Sequence, residues 1–148
     1  MTAVDIYRYF QAFKDAYDSF MKPFSVELGI PRAAMDILLF LANNPNNNTS
    51  GEICAYLHMK PGMVSFHTDK LTTEGYIERI VSDEDRRKIH LRCTEKALPI
   101  VERGRMMQDE FRKRMFDGFD PAKLELFSGF IDEIEKNLEN IVKNDINL

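Results

Sequence analysis

Residues 60–94 contain a change of hydrophobic period that strongly restricts how this chain can fold. In the first half, Val64, Thr68 and Leu71 recur at three- and four-residue steps, which places them on one face of a helix. Gly75 follows, and a glycine just past the last periodic residue can adopt the positive φ that ends a helix. Polar and apolar residues then alternate on both sides of an acidic turn. The segment is therefore predicted to form one helix followed by a β-hairpin.

Two further helices are predicted immediately before this segment. One begins at Pro31 and ends at the asparagine-rich tract of residues 43–48, which is predicted to be a loop. The next begins at Thr49-Ser50-Gly51-Glu52, a sequence that fits a capping box. Pro61 suits the first turn of the helix that follows, where its missing N–H costs least. Together these elements predict a mainly α-helical chain with a small β-hairpin wing, which is a winged helix-turn-helix.

This layout suits duplex DNA, because the major groove admits one α-helix and the flanking phosphates are within reach of a hairpin. Base contacts are predicted from Gly62, Ser65 and Phe66 on the outward helix face, and phosphate contacts from Lys60 and Lys70. The hairpin tip adds the cations Arg86, Arg87 and Lys88, which can clamp phosphate or enter the minor groove. Basic turns are also common on ordinary protein surfaces, so a solvated turn is the alternative.

Two aromatic side chains of this helix leave alternatives open. Phe66 can meet a thymine methyl group in the major groove, or it can fill a gap within the protein. His67 falls near the apolar face, and a core histidine with its hydrogen bonds satisfied is the favoured interpretation over a DNA contact.

Catalysis is a rival function, since Cys54 and His58 are four residues apart on one predicted helix. Nothing else completes a catalytic or metal site there, so we expect no enzyme, no metal and no cofactor.

Several short motifs, in order and at consistent spacing, resemble the MarR family of bacterial transcriptional regulators. The motifs are Asp69-Lys70-Leu71, Glu74-Gly75-Tyr76-Ile77-Glu78-Arg79, Asp85-Arg86-Arg87 and Cys93-Thr94-Glu95-Lys96. The resemblance implies that Asp69 and Arg87 pair to brace the wing. It also implies a small aromatic or phenolic effector in a pocket that Tyr17, Phe24 and Met35 could border, although each is more simply a core residue. The chain departs from the family at Phe66, where a polar or arginine side chain is usual, and at Ala97, where glycine is usual.

The chain ends carry apolar stripes that a small winged domain cannot cover. The first helix, predicted from about Val4 to Met21, is rich in aromatic residues, and a C-terminal helix carries a seam at alternating four- and three-residue steps: Phe127, Ile131, Ile134, Leu138 and Ile141. We predict dimerisation helices at 1–28 and 118–148, a winged helix-turn-helix at 31–93 and a connecting long helix at 94–117, with a kink at Pro99. The alternative is that the stripes pack against each other within one chain. A homodimer predicts operators that are inverted repeats.

Charge and composition limit the remaining function classes. The formal net charge is −4, and only residues 56–93 are net positive, with seven basic and six acidic side chains. Affinity for DNA is therefore expected to depend on a few well-placed contacts. The N-terminus lacks a signal peptide pattern, no long apolar run is present and the two cysteines fit no disulfide framework, so a cytoplasmic protein without membrane contact is expected. The alternative function is a winged helix that contacts proteins and does not bind DNA.

Overall fold

Six α-helices and one β-hairpin are found in residues 1–82 and 88–144, which are the parts of the chain that the computed structural model describes. In chain order the elements are α1 (Ala3–Leu28), α2 (Arg32–Asn43), α3 (Ser50–Leu57), α4 (Pro61–Thr73), β1 (Ile77–Val81), β2 (Ile89–Cys93), a 3₁₀ turn (Glu95–Ala97), α5 (Leu98–Met115) and α6 (Pro121–Asn144). The predicted fold class, mainly helical with a small hairpin, is confirmed.

The predicted helix ends of the winged helix-turn-helix are confirmed. At the start of α3 the backbone N–H of Glu52 donates to Thr49 Oγ1 over 3.3 Å, and the Thr49 N–H donates back to Glu52 Oε2 over 2.9 Å. Gly75 follows α4 with a φ of 78°. The N–H of Tyr76 then donates to the Leu71 carbonyl over 2.9 Å, which satisfies a carbonyl in the last turn of α4.

The helix α1 is longer than the predicted span of Val4 to Met21. Pro23 lies inside it and cannot donate a backbone hydrogen bond, yet the helix continues to Leu28 and ends at Gly29 with a φ of 63°. Met21 and Phe24, on either side of this proline, are buried in the core. Their burial offsets the single missing hydrogen bond, and the sequence pattern alone underestimated that contribution.

The core of the N-terminal unit is built around α2. Its side chains Met35, Ile37, Leu38 and Leu39 are almost completely buried, and they pack with residues from the neighbouring elements, including Ile53, Val64, Leu71, Ile77 and Leu91. Helix α5 packs closely on α2, because a Cβ atom at Gly104 would clash with the side chain of Leu39. This core fixes α4 through one of its faces.

The hairpin is antiparallel, with Ile77 opposite Cys93 and Val81 opposite Ile89. Ile77 and Leu91 are buried, so one face of the base of the hairpin belongs to the core. The N–H of Leu91 also donates to the carbonyl of Asn48 over 2.8 Å, which attaches β2 to the asparagine-rich loop. That loop was predicted correctly, and it holds the hairpin against the rest of the unit.

The predicted kink at Pro99 is wrong. A 3₁₀ turn separates Thr94 from α5, which begins at Leu98, so Pro99 lies in the first turn of the α-helix. A proline there loses no intrahelical hydrogen bond. Thr94 precedes the 3₁₀ turn, and its hydroxyl donates to the carbonyl of Gly75 over 2.6 Å and does not cap the turn.

The chain divides into two compact units, Met1–Phe111 and Arg112–Leu148. In the second unit, Phe116 packs edge-on against both Phe119 and Phe127, with ring centroids 5.6 and 5.1 Å apart. The backbone N–H of Lys123 donates to Asp120 Oδ1 over 2.9 Å, so Asp120 caps α6. None of the helices in residues 1–82 and 88–144 is long and apolar enough to cross a membrane.

Candidate nucleic-acid interface

Helix α4 has one buried and one exposed face, and the division follows the sequence prediction. Val64, Thr68 and Leu71 are buried, whereas Gly62 and Ser65 are exposed. The hydroxyl of Thr68 donates to the Val64 carbonyl over 2.8 Å, so this polar side chain is satisfied within the core. The outward face is thereby fixed in direction by packing on the opposite side of the same helix.

The structure decides between the two alternatives for Phe66 and confirms one part of the prediction for His67. Phe66 is 65% exposed, so it does not fill a gap within this chain. His67 is buried, as predicted, but its Nδ1 atom has no hydrogen-bond partner among the described residues. The two rings meet edge to face with their centroids 5.1 Å apart. The expected core position of His67 is confirmed, and the expected satisfaction of its hydrogen bonds is not.

The predicted phosphate-binding side chains that the structure describes are exposed. Lys60 immediately precedes α4, and Lys70 lies in its last turns, where its ammonium is 3.9 Å from a carboxylate oxygen of Glu74. Lys88 lies just before β2 and is also exposed. Arg86 and Arg87, predicted at the wing tip, lie outside the described residues. The cations at the two ends of α4 are therefore available to a ligand that approaches its outward face.

Asp69 has a partner that the sequence did not reveal. Its carboxylate accepts a hydrogen bond from the guanidinium of Arg79, which projects from β1, and both side chains are partly exposed. The pairing of Asp69 with Arg87 stays a prediction, since Arg87 is not described. Arg79 lies directly opposite the buried Leu91 and two residues after the buried Ile77, so it shares their face of the hairpin. The packing of β1 against α4 brings its guanidinium to Asp69. The ion pair links the exposed face of α4 to the base of the wing.

Two further links hold this surface together, and sequence reasoning missed both. Lys96 donates to the carbonyl of Glu74 at the end of α4 over 2.6 Å, and its ammonium lies 4.6 Å from the ring centroid of Tyr76. His90 on β2 hydrogen-bonds through Nδ1 to the side chain of Asn48. His90 therefore has a structural partner. For the contact made by Lys96, the sequence signal was the presence of this lysine in the Cys93-Thr94-Glu95-Lys96 motif.

A cleft of about 310 Å³ opens beside α1 and α2, and Tyr17 is one of its lining residues. Phe24 and Met35, also predicted to border an effector pocket, do not line it because they are buried in the core. Gln108 Nε2 donates to the Tyr17 hydroxyl over 2.9 Å, and burial raises the pKa of Tyr17. The lining combines aromatic, apolar and polar groups, including Asp18, Arg32, Asp36, Leu39, Phe40 and Leu57.

Arg32 organises the charge in this cleft. Its Nε donates to Asp36 Oδ1 over 2.9 Å, its Nη1 lies 3.4 Å from Asp18 Oδ1, and its guanidinium carbon is 4.8 Å from the ring centroid of Tyr17. Burial raises the pKa of Asp36, although the hydrogen bond from Arg32 acts in the opposite direction. Both carboxylates compensate the one guanidinium, so the cleft presents hydrogen-bonding groups without an unpaired positive charge.

Cys54 and His58 do not form the catalytic pair that their spacing in the sequence allowed. Helix α3 ends at Leu57, and His58 adopts a left-handed conformation with a φ of 50°, so Cys54 and His58 do not share a helix face. Cys54 packs partly buried against the core. Burial raises the pKa of the Cys93 thiol to about 11, which keeps it protonated at neutral pH. Cys93 therefore lacks the thiolate that a nucleophile requires.

The apolar seam of α6 is exposed along its whole length. Exposed fractions range from 39% to 54% for its members, which are Phe127, Ile131, Ile134, Leu138 and Ile141. At the other end of the chain, aromatic side chains near the start of α1 are exposed as well, including Tyr7, Tyr9, Phe10 and Phe13. Large exposed apolar surfaces of this kind mark contacts with other molecules.

Comparison with known proteins finds a family model, a curated protein and solved structures that are similar to this chain. Residues 28–88, which include α2, α3, α4 and β1, match the model of the MarR family. The HTH-type transcriptional repressor IacR of Pseudomonas putida is 23% identical over 116 residues, which cover 78% of this chain and 68% of that protein.

Solved structures agree over nearly the whole chain. The transcriptional regulator PA3341 superposes with a TM-score of 0.78 at 23% identity, covering 93% of this chain and 97% of that one. A MarR protein from Peptoclostridium difficile has a TM-score of 0.78 at 21% identity, with 95% of this chain and 91% of that one covered. At these identities the superpositions show a shared fold.

Proposed function

We propose that this chain is a transcriptional regulator of the MarR family, whose model residues 28–88 match, and that it binds operator DNA as a homodimer through α4 and the wing. The observation that carries the proposal is the geometry of α4. Its buried face is fixed by Val64, Thr68 and Leu71, while its outward face is open and has Lys60 and Lys70 at its two ends. Such a helix can enter the major groove and direct its end cations toward the flanking phosphates.

Base contacts come from Gly62, Ser65 and Phe66, and phosphate contacts from the lysines and the wing tip. Lys88 belongs to the wing side of this interface, together with Arg86 and Arg87 as sequence-based assignments. Asp69 supports the arrangement by its ion pair with Arg79, and it is the proposed brace for Arg87. An exposed pair contributes only about 0 to 1 kcal/mol, so its role is to orient the wing against α4.

Dimerisation is supported by the exposed seam of α6 and the aromatic start of α1. A second subunit supplies the apolar cover that the seam lacks within its own unit. A two-fold dimer presents two copies of α4 about one DNA turn apart, roughly 34 Å. Its operators are therefore inverted repeats.

The cleft beside α1 and α2 is the proposed site of a small aromatic effector. Tyr17 and Gln108 offer hydrogen-bonding groups there, next to the apolar side chains of Leu39 and Phe40. An effector that binds more tightly to a DNA-incompetent spacing of the two subunits weakens operator binding by its differential affinity. Phe24 and Met35 are buried in the core and are not part of this proposed site.

The decisive experiment is a titration of the full chain with its own upstream intergenic DNA at several salt concentrations, repeated with Arg87→Ala. We expect a steep inverse dependence of affinity on salt, because lysine and arginine contacts release counterions from phosphate. The variant should lose roughly 1–3 kcal/mol of binding free energy and reduce the salt slope by about one. Adding phenolic compounds to the same titration tests whether an effector releases the DNA.

Lys113→Ala is the matched control, since it removes one positive charge from an exposed position of α5 that has no assigned DNA contact. It should bind DNA with nearly wild-type affinity. If binding is absent or insensitive to salt, the proposal is wrong, and the alternative of a winged helix that contacts proteins is favoured. If both variants weaken binding equally, net charge and not the wing determines affinity.

A further inference from the structure

The exposed side chains in the first half of α4 are mainly apolar. Phe66 is 65% exposed and Met63 is 46% exposed, and the two are three residues apart, so they are neighbours on the helix surface. The same half contains Pro61, Gly62 and Ser65, of which only serine has a hydrogen-bonding side chain. This part of the helix therefore has little capacity to read hydrogen-bonding groups on base edges.

Apart from Lys70, which is assigned to phosphate, the polar side chains in the second half of α4 already have partners. Asp69 pairs with Arg79. The hydroxyls of Thr72 and Thr73 donate to backbone carbonyls one turn earlier, over 2.7 and 2.9 Å. These contacts leave the apolar pair as the most prominent feature that α4 presents to a groove.

The ring of Phe66 is also restrained. It meets the buried ring of His67 edge to face, with a centroid separation of 5.1 Å and an interplanar angle of 77°. His67 is fixed by its position in the core. A ring held in this way loses less conformational freedom on binding than a freely rotating one.

We propose that Phe66, with Met63 beside it, recognises thymine through the 5-methyl group that thymine exposes in the major groove. This inference rests on the proposed DNA-binding function and names the chemistry of its base readout. The thymine methyl is the apolar group of the major groove, and it distinguishes T·A from the other base pairs. Uracil pairs identically but lacks this methyl. Burying one such group corresponds to about four-fold in affinity, from the transfer free energy of a methylene.

The test begins with the full chain and a random-sequence duplex library, from which bound sequences are selected. Each thymine of the selected duplex is then replaced singly by uracil, and affinities are measured at one salt concentration. We expect losses of about four-fold per contacted thymine, confined to one or two positions in each half-site. Replacing one such thymine in both half-sites should cost about 15-fold.

Phe66→Ala is the test variant, and its exposed position allows the protein to fold. It should bind the thymine and uracil duplexes with equal affinity, whereas Phe66→Leu should keep part of the preference. Met106→Ala removes a similarly exposed apolar side chain from α5 and should keep the full preference. Circular dichroism and thermal unfolding of each variant verify that the fold is retained.

Three results would overturn the inference. Wild type could bind both duplexes equally, Phe66→Ala could retain the thymine preference, or the losses could be small and spread over every position, as for a general effect on duplex deformability. Failure to select any duplex is a different outcome, because it refutes the proposed DNA-binding function and the inference together.

Discussion

Helices α4 and α6 both carry a row of apolar side chains at helical spacing, but only the row on α4 is covered by its own chain. In α4, Val64 and Leu71 are at most 1% exposed and pack in the core of the N-terminal unit. In α6, no residue from Pro121 to Lys143 is buried, and the seam that includes Ile134 and Leu138 faces solvent. A helix face is therefore exposed for two different physical reasons in this protein. The open face of α4 is presented by a helix that is already fixed, whereas the open face of α6 lacks the cover that would fix it.

This difference separates two kinds of stability. The packing of α4 depends on contacts within one chain, so its contribution to folding is independent of protein concentration. If α6 is covered by a second subunit, as proposed, its contribution depends on concentration by mass action. Substitutions on the two helices therefore test the comparison through different measurements.

The largest effect is expected for Leu138→Asp on α6. The substitution removes an apolar side chain from the seam and places a carboxylate in the proposed interface, and it occurs twice in a two-fold dimer. Dimerisation should weaken by about 5 kcal/mol, from lost burial and desolvation of two charges. Sedimentation velocity over a range of protein concentrations measures the change.

Lys136→Ala is the control for this experiment, because it lies on α6 but outside the seam. It should dimerise like the wild type. If Leu138→Asp leaves the association constant unchanged, the seam is not the dimer interface and the contrast between the two helices loses its proposed explanation.

A smaller but substantial effect is expected for Leu71→Ala on α4. Leu71 is 1% exposed, and truncating a fully buried leucine typically costs about 2–5 kcal/mol. Urea unfolding at a fixed protein concentration measures the change in the free energy of unfolding. Phe66→Ala, on the opposite face of the same helix, should change it by less than about 0.5 kcal/mol. Similar costs for both variants would mean that α4 is not fixed through one face only.

The smallest effect concerns the capping box of α3, the helix that precedes α4. Hydrogen bonds from the backbone and side chain of Thr49 lower the pKa of Glu52 below its ordinary value of 4.5. A carboxyl whose folded pKa is lowered stabilises the fold above its unfolded pKa, and this stabilisation is lost as pH falls through the folded value. Thr49→Ala should therefore cost about 1 kcal/mol at neutral pH and less under acidic conditions.

Urea unfolding of wild type and Thr49→Ala, at neutral pH and below pH 4.5, measures this difference. An equal cost at both pH values would show that the Glu52 carboxylate adds nothing to the cap. In that case the hydroxyl of Thr49 alone would account for the stabilisation.

Local signals in the sequence predicted most of the winged helix-turn-helix. The capping box at Thr49, the positive φ of Gly75 and the buried face of α4 were all predicted correctly. The two errors in helix geometry concern prolines. Pro23 lies within α1, because neighbouring buried side chains keep the helix intact, and Pro99 lies in a first turn, because a 3₁₀ segment precedes α5.

Contacts between distant residues were the least predictable part of the candidate site. The sequence left open whether Phe24 and Met35 border a pocket or lie in the core, and both are in the core, while Gln108 lines the cleft with Tyr17. The pair of Asp69 with Arg79 was likewise not predicted. Each of these outcomes depends on how separate elements pack, which periodicity within one element does not report.

The sequence by itself determined the order of the helices and strands and which face of α4 is buried, because capping, glycine conformation and hydrophobic period act over a few neighbouring residues. Only the tertiary structure decided which polar groups meet, which aromatic residues are buried and that Phe66 is exposed beside the buried His67. Those outcomes depend on side chains brought together from distant positions, where the packing of the core leaves room for one arrangement.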